Sequence, residues 1–158
     1  MIQEFQRLKK NESYQNKIDW HANRVLARVN YIVHTDAIKS VIVPTLTEKQ
    51  KKFVYAEEAD VLNVALFGQT AKEWRSDNPD VADKGNIRDY TDLLHLVILN
   101  NLENINAELI EMKIPQSERL IKLNSIAKKQ MNLLKNIKAF DNLKYIENRI
   151  NNEVSVIE

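Results

Sequence analysis

No cysteine occurs among the 158 residues, which excludes disulfides, thiolate metal centres and cysteine redox chemistry and fits a reducing compartment. Glycine and proline are nearly as scarce, at two and three residues, so tight turns are few and long uninterrupted helices are favoured. With Gly68 and Gly85 the only glycines, there is no glycine-rich loop to cradle a phosphate. No apolar run approaches the roughly 18 residues that a membrane span needs. The start Met1-Ile2-Gln3-Glu4 is no signal peptide, so a soluble, cytoplasmic protein without a membrane partner is expected. Strand signals are also missing: alternation of period two is hard to find, and an all-α fold is expected.

What is present is a 44% hydrophobic, 28% charged chain, enough for one compact domain with a real core. The net charge of +1 conceals an asymmetry. Residues 1–52 carry 10 basic and 5 acidic groups, residues 53–116 carry 5 and 12, and residues 117–158 carry 8 and 5. An acidic middle repels a phosphate backbone, so any nucleic-acid footprint belongs on the two ends, and the alternative use of the asymmetry is internal, with basic terminal helices packed around an acidic centre.

Helical periodicity organises the chain around Asn86 to Lys113. One apolar row runs Ile98, Leu102, Ile105, Leu109, Met112, and Tyr90, Leu94 and Val97 begin a second, so this segment is expected to be a central helix buried on two faces, with Asn86 as its N-cap. Upstream, Ile2, Phe5 and Leu8 mark a short amphipathic helix. The polar run from Asn11 to Lys17 either interrupts that helix or continues it as an exposed stretch, and Asp19 can then cap a second helix, whose face of Trp20, Val25, Leu26, Val29, Ile32 and Val33 is expected to pack against something large, with Arg24 and Arg28 on its polar side. The stretch Ala37 to Val43 is either helical or extended up to Pro44. Thr47 with Gln50 forms a capping box for a helix reaching Phe67 and stopped by Gly68, and Thr70 with Glu73 opens another from Ala71 to Ser76. After Ile114-Pro115-Gln116 an antiparallel helix returns from Ser117, and its apolar pattern continues through Phe140, Leu143, Ile146 and Ile150. That stripe is too long for a small core to cover and marks an expected self-association surface. The expected organisation is a leading helix over residues 1–17, a helical domain over 18–139 and a C-terminal extension over 140–158.

Catalytic chemistry finds little support. His21, His34 and His95 have no carboxylate or second histidine at the four-residue spacing that puts two ligands on one helix face, so no metal site is expected, and His95 among leucines reads as a core histidine bonded to a polar neighbour. Glu57, Glu58 and Asp60 read as a solvated helix face, and Asp77, Asp80 and Asp83 as a turn-forming loop. Asn63, Asn104 and Asn106 fall beside apolar faces, where buried amides either orient a ligand or fix helix register. The densest polar cluster is Lys72, Trp74, Arg75, Asn78, Lys84, Asn86, Arg88 and Asp89. There Trp74 could stack a planar ligand while Arg75 and Arg88 fork an anion, or a buried tryptophan could be covered by an Arg75–Asp89 or Arg88–Asp77 network. No cofactor is expected, and a non-enzymatic protein is favoured.

Several blocks carry a resemblance. The run Tyr55-Ala56-Glu57-Glu58-Ala59-Asp60-Val61-Leu62-Asn63-Val64-Ala65-Leu66-Phe67-Gly68, then Thr70-Ala71-Lys72-Glu73-Trp74-Arg75, Asn78-Pro79-Asp80 and Lys84-Gly85-Asn86-Ile87-Arg88-Asp89-Tyr90, resembles the C-terminal region of bacterial and phage KilA-N domain proteins. Leu102 to Ala107 and Ser117 to Asn124 are similar to the same region, and the resemblance covers roughly residues 1–135. Glu4-Phe5-Gln6-Arg7-Leu8-Lys9 resembles the closing helix of the KilA-N module, the presumed DNA-binding part of that family, which otherwise lies outside this sequence. Val81-Ala82-Asp83 is a small insertion relative to the family's loop, and the last twenty or so residues do not match. The resemblance implies an interaction or oligomerisation domain of a phage- or mobile-element-associated DNA-binding protein. The alternative is a small-molecule or nucleotide-binding regulator, or a phage-borne defence antagonist, using the Trp74, Arg75 and Arg88 cluster.

Overall fold

The computed structural model describes residues 2–137. Phe140, Leu143, Ile146 and Ile150, the expected self-association stripe, lie outside the described residues. Within them the fold is all-α and no strand occurs.

The largest departure from expectation is at the start. A single helix, α1, runs Ile2–Ala37, passing unbroken through the polar run from Asn11 to Lys17. It then widens into a π turn, Ile38–Ile42, and tightens into a 3-10 turn, Val43–Thr45, with Pro44 at the start of the latter, where its missing N–H costs nothing. The open choice over Ala37 to Val43 is thus resolved as helical.

Thr47 and Gln50 form the reciprocal capping box that their spacing predicts. The helix it starts is short, however: α2 covers Glu48–Lys51, the chain kinks at Lys52 and Phe53, and α3 covers Val54–Phe67. Phe53, expected on the inner face, is exposed. Gly68 stops α3 at φ 75°, the left-handed conformation in which a side chain is strained. Thr70 caps α4, Ala71–Asp77.

The central helix begins later than the sequence suggests. Asn86 and Asp89 do form a capping box, but it caps a 3-10 turn, Ile87–Tyr90. The chain then extends through Thr91, and Asp92 caps α5, Leu93–Glu111, by accepting from the His95 backbone N–H at 2.9 Å. Lys113 at φ 59° closes the turn, the Ile114 N–H reaching back to the Leu109 carbonyl at 3.1 Å. The expected antiparallel hairpin follows as α6, Gln116–Leu134.

α5 is the central helix. One of its faces meets α3 and α6 through Leu94, Ile98, Leu99 and Leu102, packed on Val61, Leu62, Leu123 and Ala127. Another meets the end of α1 and the π turn, where Ala107 and Ile110 pack on Ala37, Ile38 and Val54. Each fully buried leucine or isoleucine in these layers contributes about 1.5–3 kcal/mol.

Candidate functional site

The polar cluster expected around Trp74 is brought together only in part. Trp74 is 7% exposed, and the Tyr90 ring lies 5.8 Å away, tilted by 31°. Asn78 serves the end of α4, its Nδ2 donating to the Trp74 carbonyl at 2.9 Å. Asn86 and Asp89 are committed to each other's backbone N–H groups in the 3-10 turn. Lys72, Arg75 and Lys84 are exposed. Arg88 turns inward, its Nη2 lying 3.8 Å from Glu103 Oε1. The two networks expected to cover the tryptophan are not those seen, since Tyr90 covers it and Arg88 faces Glu103.

A denser polar assembly, unforeseen from the sequence, lies inside the core. Glu58 of α3 and Arg119 of α6 are 2% and 3% exposed and form a bidentate pair at 2.6 and 2.8 Å. Arg119 also donates through Nε to the Ile114 carbonyl at 3.0 Å and through Nη1 to Asn106 Oδ1 at 2.9 Å. Gln116 Nε2 adds a third donor to Glu58 at 3.2 Å. Because Asn106 Oδ1 accepts from arginine, its Nδ2 faces His34 Nε2 at 2.8 Å as a donor. His34 therefore accepts at Nε2 and carries its proton on Nδ1, 3.8 Å from Glu103 Oε1. The solvated face expected for Glu57, Glu58 and Asp60 is corrected at Glu58, which is core. Asp60 is half-buried and accepts from the Ala71 N–H at 2.8 Å and Asn63 Nδ2 at 3.2 Å.

The electrostatics follow from burial. His34 is lowered from its usual value to about 4, first by desolvation, with Arg88 and Arg119 adding and Glu58 opposing. It is neutral near pH 7, as its acceptor role at Nε2 requires. Burial pushes the Glu103 carboxyl above the ordinary carboxylate range while Arg88 pulls it back. Among the described residues Glu103 Oε2 has no hydrogen-bond partner, and neither does Asn63 Oδ1. A helix slipped by one turn would strand this whole set of donors and acceptors, so the network fixes register, the role expected for buried amides such as Asn106. Asn104, by contrast, is exposed.

Glu58 and Arg119 also floor a half-open hollow of about 550 Å³, walled by Ile42, Leu46, Val54 and Ile110. Arg119 is already held by Glu58, Asn106 and the Ile114 carbonyl, so the hollow presents it as a structural group. His95 is bonded to a polar neighbour as expected, with Nδ1 at 2.7 Å from Asp92 Oδ1 and its ring stacked on Phe67, but it is half-buried at the start of α5 rather than in the core. Among the described residues no cluster of three or more His, Asp or Glu side chains is arranged to hold a metal ion, and no helix is long and apolar enough to cross a membrane.

The second candidate site is a surface. α1 runs alongside α5 in the same direction, Asn30 Nδ2 donating to the Asn100 carbonyl at 3.2 Å and His34 meeting Asn106 four to six residues further along. The side of α1 that packs is thus Asn30, His34, Ala37 and then Ile38. The apolar face expected to pack, Val25, Leu26, Val29, Ile32 and Val33, is instead left uncovered, from 41% exposed at Val33 to 59% at Leu26. Exposed Ala22 continues it, whereas Arg24 falls on another side of the helix and Arg28 borders the face. Compared with protein-family models, curated proteins and solved structures, the chain matches none.

Proposed function

We propose that the chain is a non-enzymatic interaction and oligomerisation module of a KilA-N type, phage- or mobile-element-associated DNA-binding protein. The observation that carries the interaction part is the uncovered apolar face of α1, whose five large residues are 41–59% exposed while the adjoining side of the same helix is buried in the core. A contiguous apolar strip of this kind is what marks a protein–protein contact. The association with a DNA-binding protein rests on the resemblance of the Tyr55–Gly68, Thr70–Arg75 and Lys84–Tyr90 blocks and of Glu4 to Lys9. In this reading α1 is a stem that leads from a DNA-contacting module into the packed body, and the body's buried polar network keeps the stem at a fixed angle. A photo-reactive residue placed at Val29, in the cell that makes the protein, tests it. A protein adduct at Val29, against none at the exposed Ile121 on α6, is expected. Equal yields at both positions overturn the reading.

A further inference from the structure

Resting on that reading, we infer that the occupant of the α1 face is a second copy of α1, the two helices forming a short two-stranded stem. Three features of α1 point to this partner.

The first is spacing. Ala22, Val25, Val29 and Ile32 follow one another at intervals of three, four and three, the seam along which two helices interlock side chains, and Leu26 and Val33 flank it on one side. The seam itself carries no charge between Ala22 and Ile32; Arg24 lies away from it, and Arg28, directly before Val29, borders it on the side opposite Leu26 and Val33. A two-fold contact must be complementary to itself, because each residue meets the same patch on the partner. An uncharged apolar strip satisfies that condition, whereas a charged one would set like charges face to face.

The second is area. The five large residues expose on the order of 400 Å² per chain, already typical of the largest patch on a lone protein. Exposed Leu8, fourteen residues before Ala22 and so in the same heptad register, brings a pair of chains to about 1,000 Å², where specific interfaces begin.

The third is support. α5 begins seven residues before Asn100, and α1 is level with Asn100 at Asn30. Some 20 residues of α1 therefore extend past the start of α5, about 30 Å at 1.5 Å per residue. The side chains described from Gln3 to Tyr14 are all exposed. A helix of that length that is not alanine-rich is marginal alone in water, and a second identical helix supplies the missing packing. Beside the seam a shallow hollow of about 440 Å³ between α1 and α3, edged by Tyr31, Ile32, Thr35, Asp36, Lys39 and Tyr55, offers room for a partner side chain.

The test is the mass of the whole chain by sedimentation. A particle of twice 18.4 kDa is expected. Val29→Asp should weaken its self-association by about 100-fold or more, since each chain brings one unpaired charge into the apolar seam, while the helical content measured by circular dichroism holds. Ile121→Asp, a control at an equally apolar exposed position, should leave the dimer intact. A chain that is monomeric at every concentration, or a dimer indifferent to Val29→Asp, overturns the inference. The photo-adduct at Val29 keeps the two levels apart. A link to a second copy supports both, and a link to a different protein from a monomeric chain sinks the second copy alone. A link within the chain to residues 138–158 overturns both, as does the absence of any adduct.

Discussion

Arg119 carries the heaviest single stake in the molecule, because four groups depend on it: both Glu58 oxygens, Asn106 Oδ1 and the Ile114 carbonyl. Arg119→Met leaves a buried carboxylate unpaired and should cost about 3–5 kcal/mol in urea unfolding. The double variant Glu58→Met with Arg119→Met should cost less than Arg119→Met alone, and a double variant at least as damaged as the single would show that the ion pair is not the source of the loss. His34 makes a separate prediction about pH. Its folded pKa of about 4 lies below the unfolded value of 6.5, so between those limits the unfolded chain binds more protons and stability falls as pH drops, by about 3 kcal/mol across the window. Glu103, whose pKa is raised, works in the opposite sense, since its proton is held more tightly in the folded chain. His34→Gln should therefore flatten the decline in melting temperature between pH 6.5 and 4, and an unchanged slope would remove His34 as its cause. Apart from Asn106, none of these residues announced itself in the sequence, because their partners lie far away, 61 residues apart for Glu58 and Arg119 and 72 for His34 and Asn106. A weaker signal was there to find. Glu58 falls in helical phase with Leu62 and Ala65, and Arg119 with Leu123 and Ala127, all of them buried; a charge at such a phase needs a buried partner.

Among the elements, the ends written by local chemistry were the most legible. The Thr47 and Gln50 capping box, the Thr70 cap and the Gly68 stop lie where short-range spacing puts them, since a cap involves only three or four consecutive residues. Gly68→Ala should cost about 1 kcal/mol, because at φ 75° the penalty is conformational and no atom within 4 Å would clash with the added methyl. An unchanged melting temperature would mean that the chain relaxes out of the left-handed turn. Boundaries set by tertiary context were less legible. Asn86 looks like the cap of α5, yet Asp92 also offers a side-chain acceptor three residues before a helical N–H, and the burial of Ile87 and Leu94 on either side of the intervening extended residues decides between them. For α1, periodicity correctly found the apolar face but not its direction. The core took the side bearing Asn30 and His34, because α5 presents the Asn100 carbonyl and Asn106 to them.

At the scale of the whole molecule, charge and fold act together. Residues 53–116 hold 12 acidic against 5 basic groups, and they supply α3, α4 and α5, which form most of the packed body. The basic excess of residues 1–52 is divided between α1, with 6 basic against 4 acidic groups, and residues 38–52, with 4 against 1. Duplex DNA should accordingly bind this chain weakly and lose its hold steeply as salt rises. A fluorescence-anisotropy titration checks this, and tight binding that discriminates between sequences at moderate salt would contradict it. The all-α class and the central position of α5 were readable from composition and period. The single long stem was not, because the polar run from Asn11 to Lys17 fits a break as well as an exposed continuation, and Asp19 offers a second cap that the continuous helix does not use. The buried polar network also bears on time. Its members come from α1, α3, α5 and α6, so it closes only after every long-range loop has closed, late on the folding route. Interactions absent from the folding barrier do not speed the forward reaction; they slow the reverse one. The body of this protein is thus built to persist once assembled, its lifetime set by how seldom all four helices let go at once.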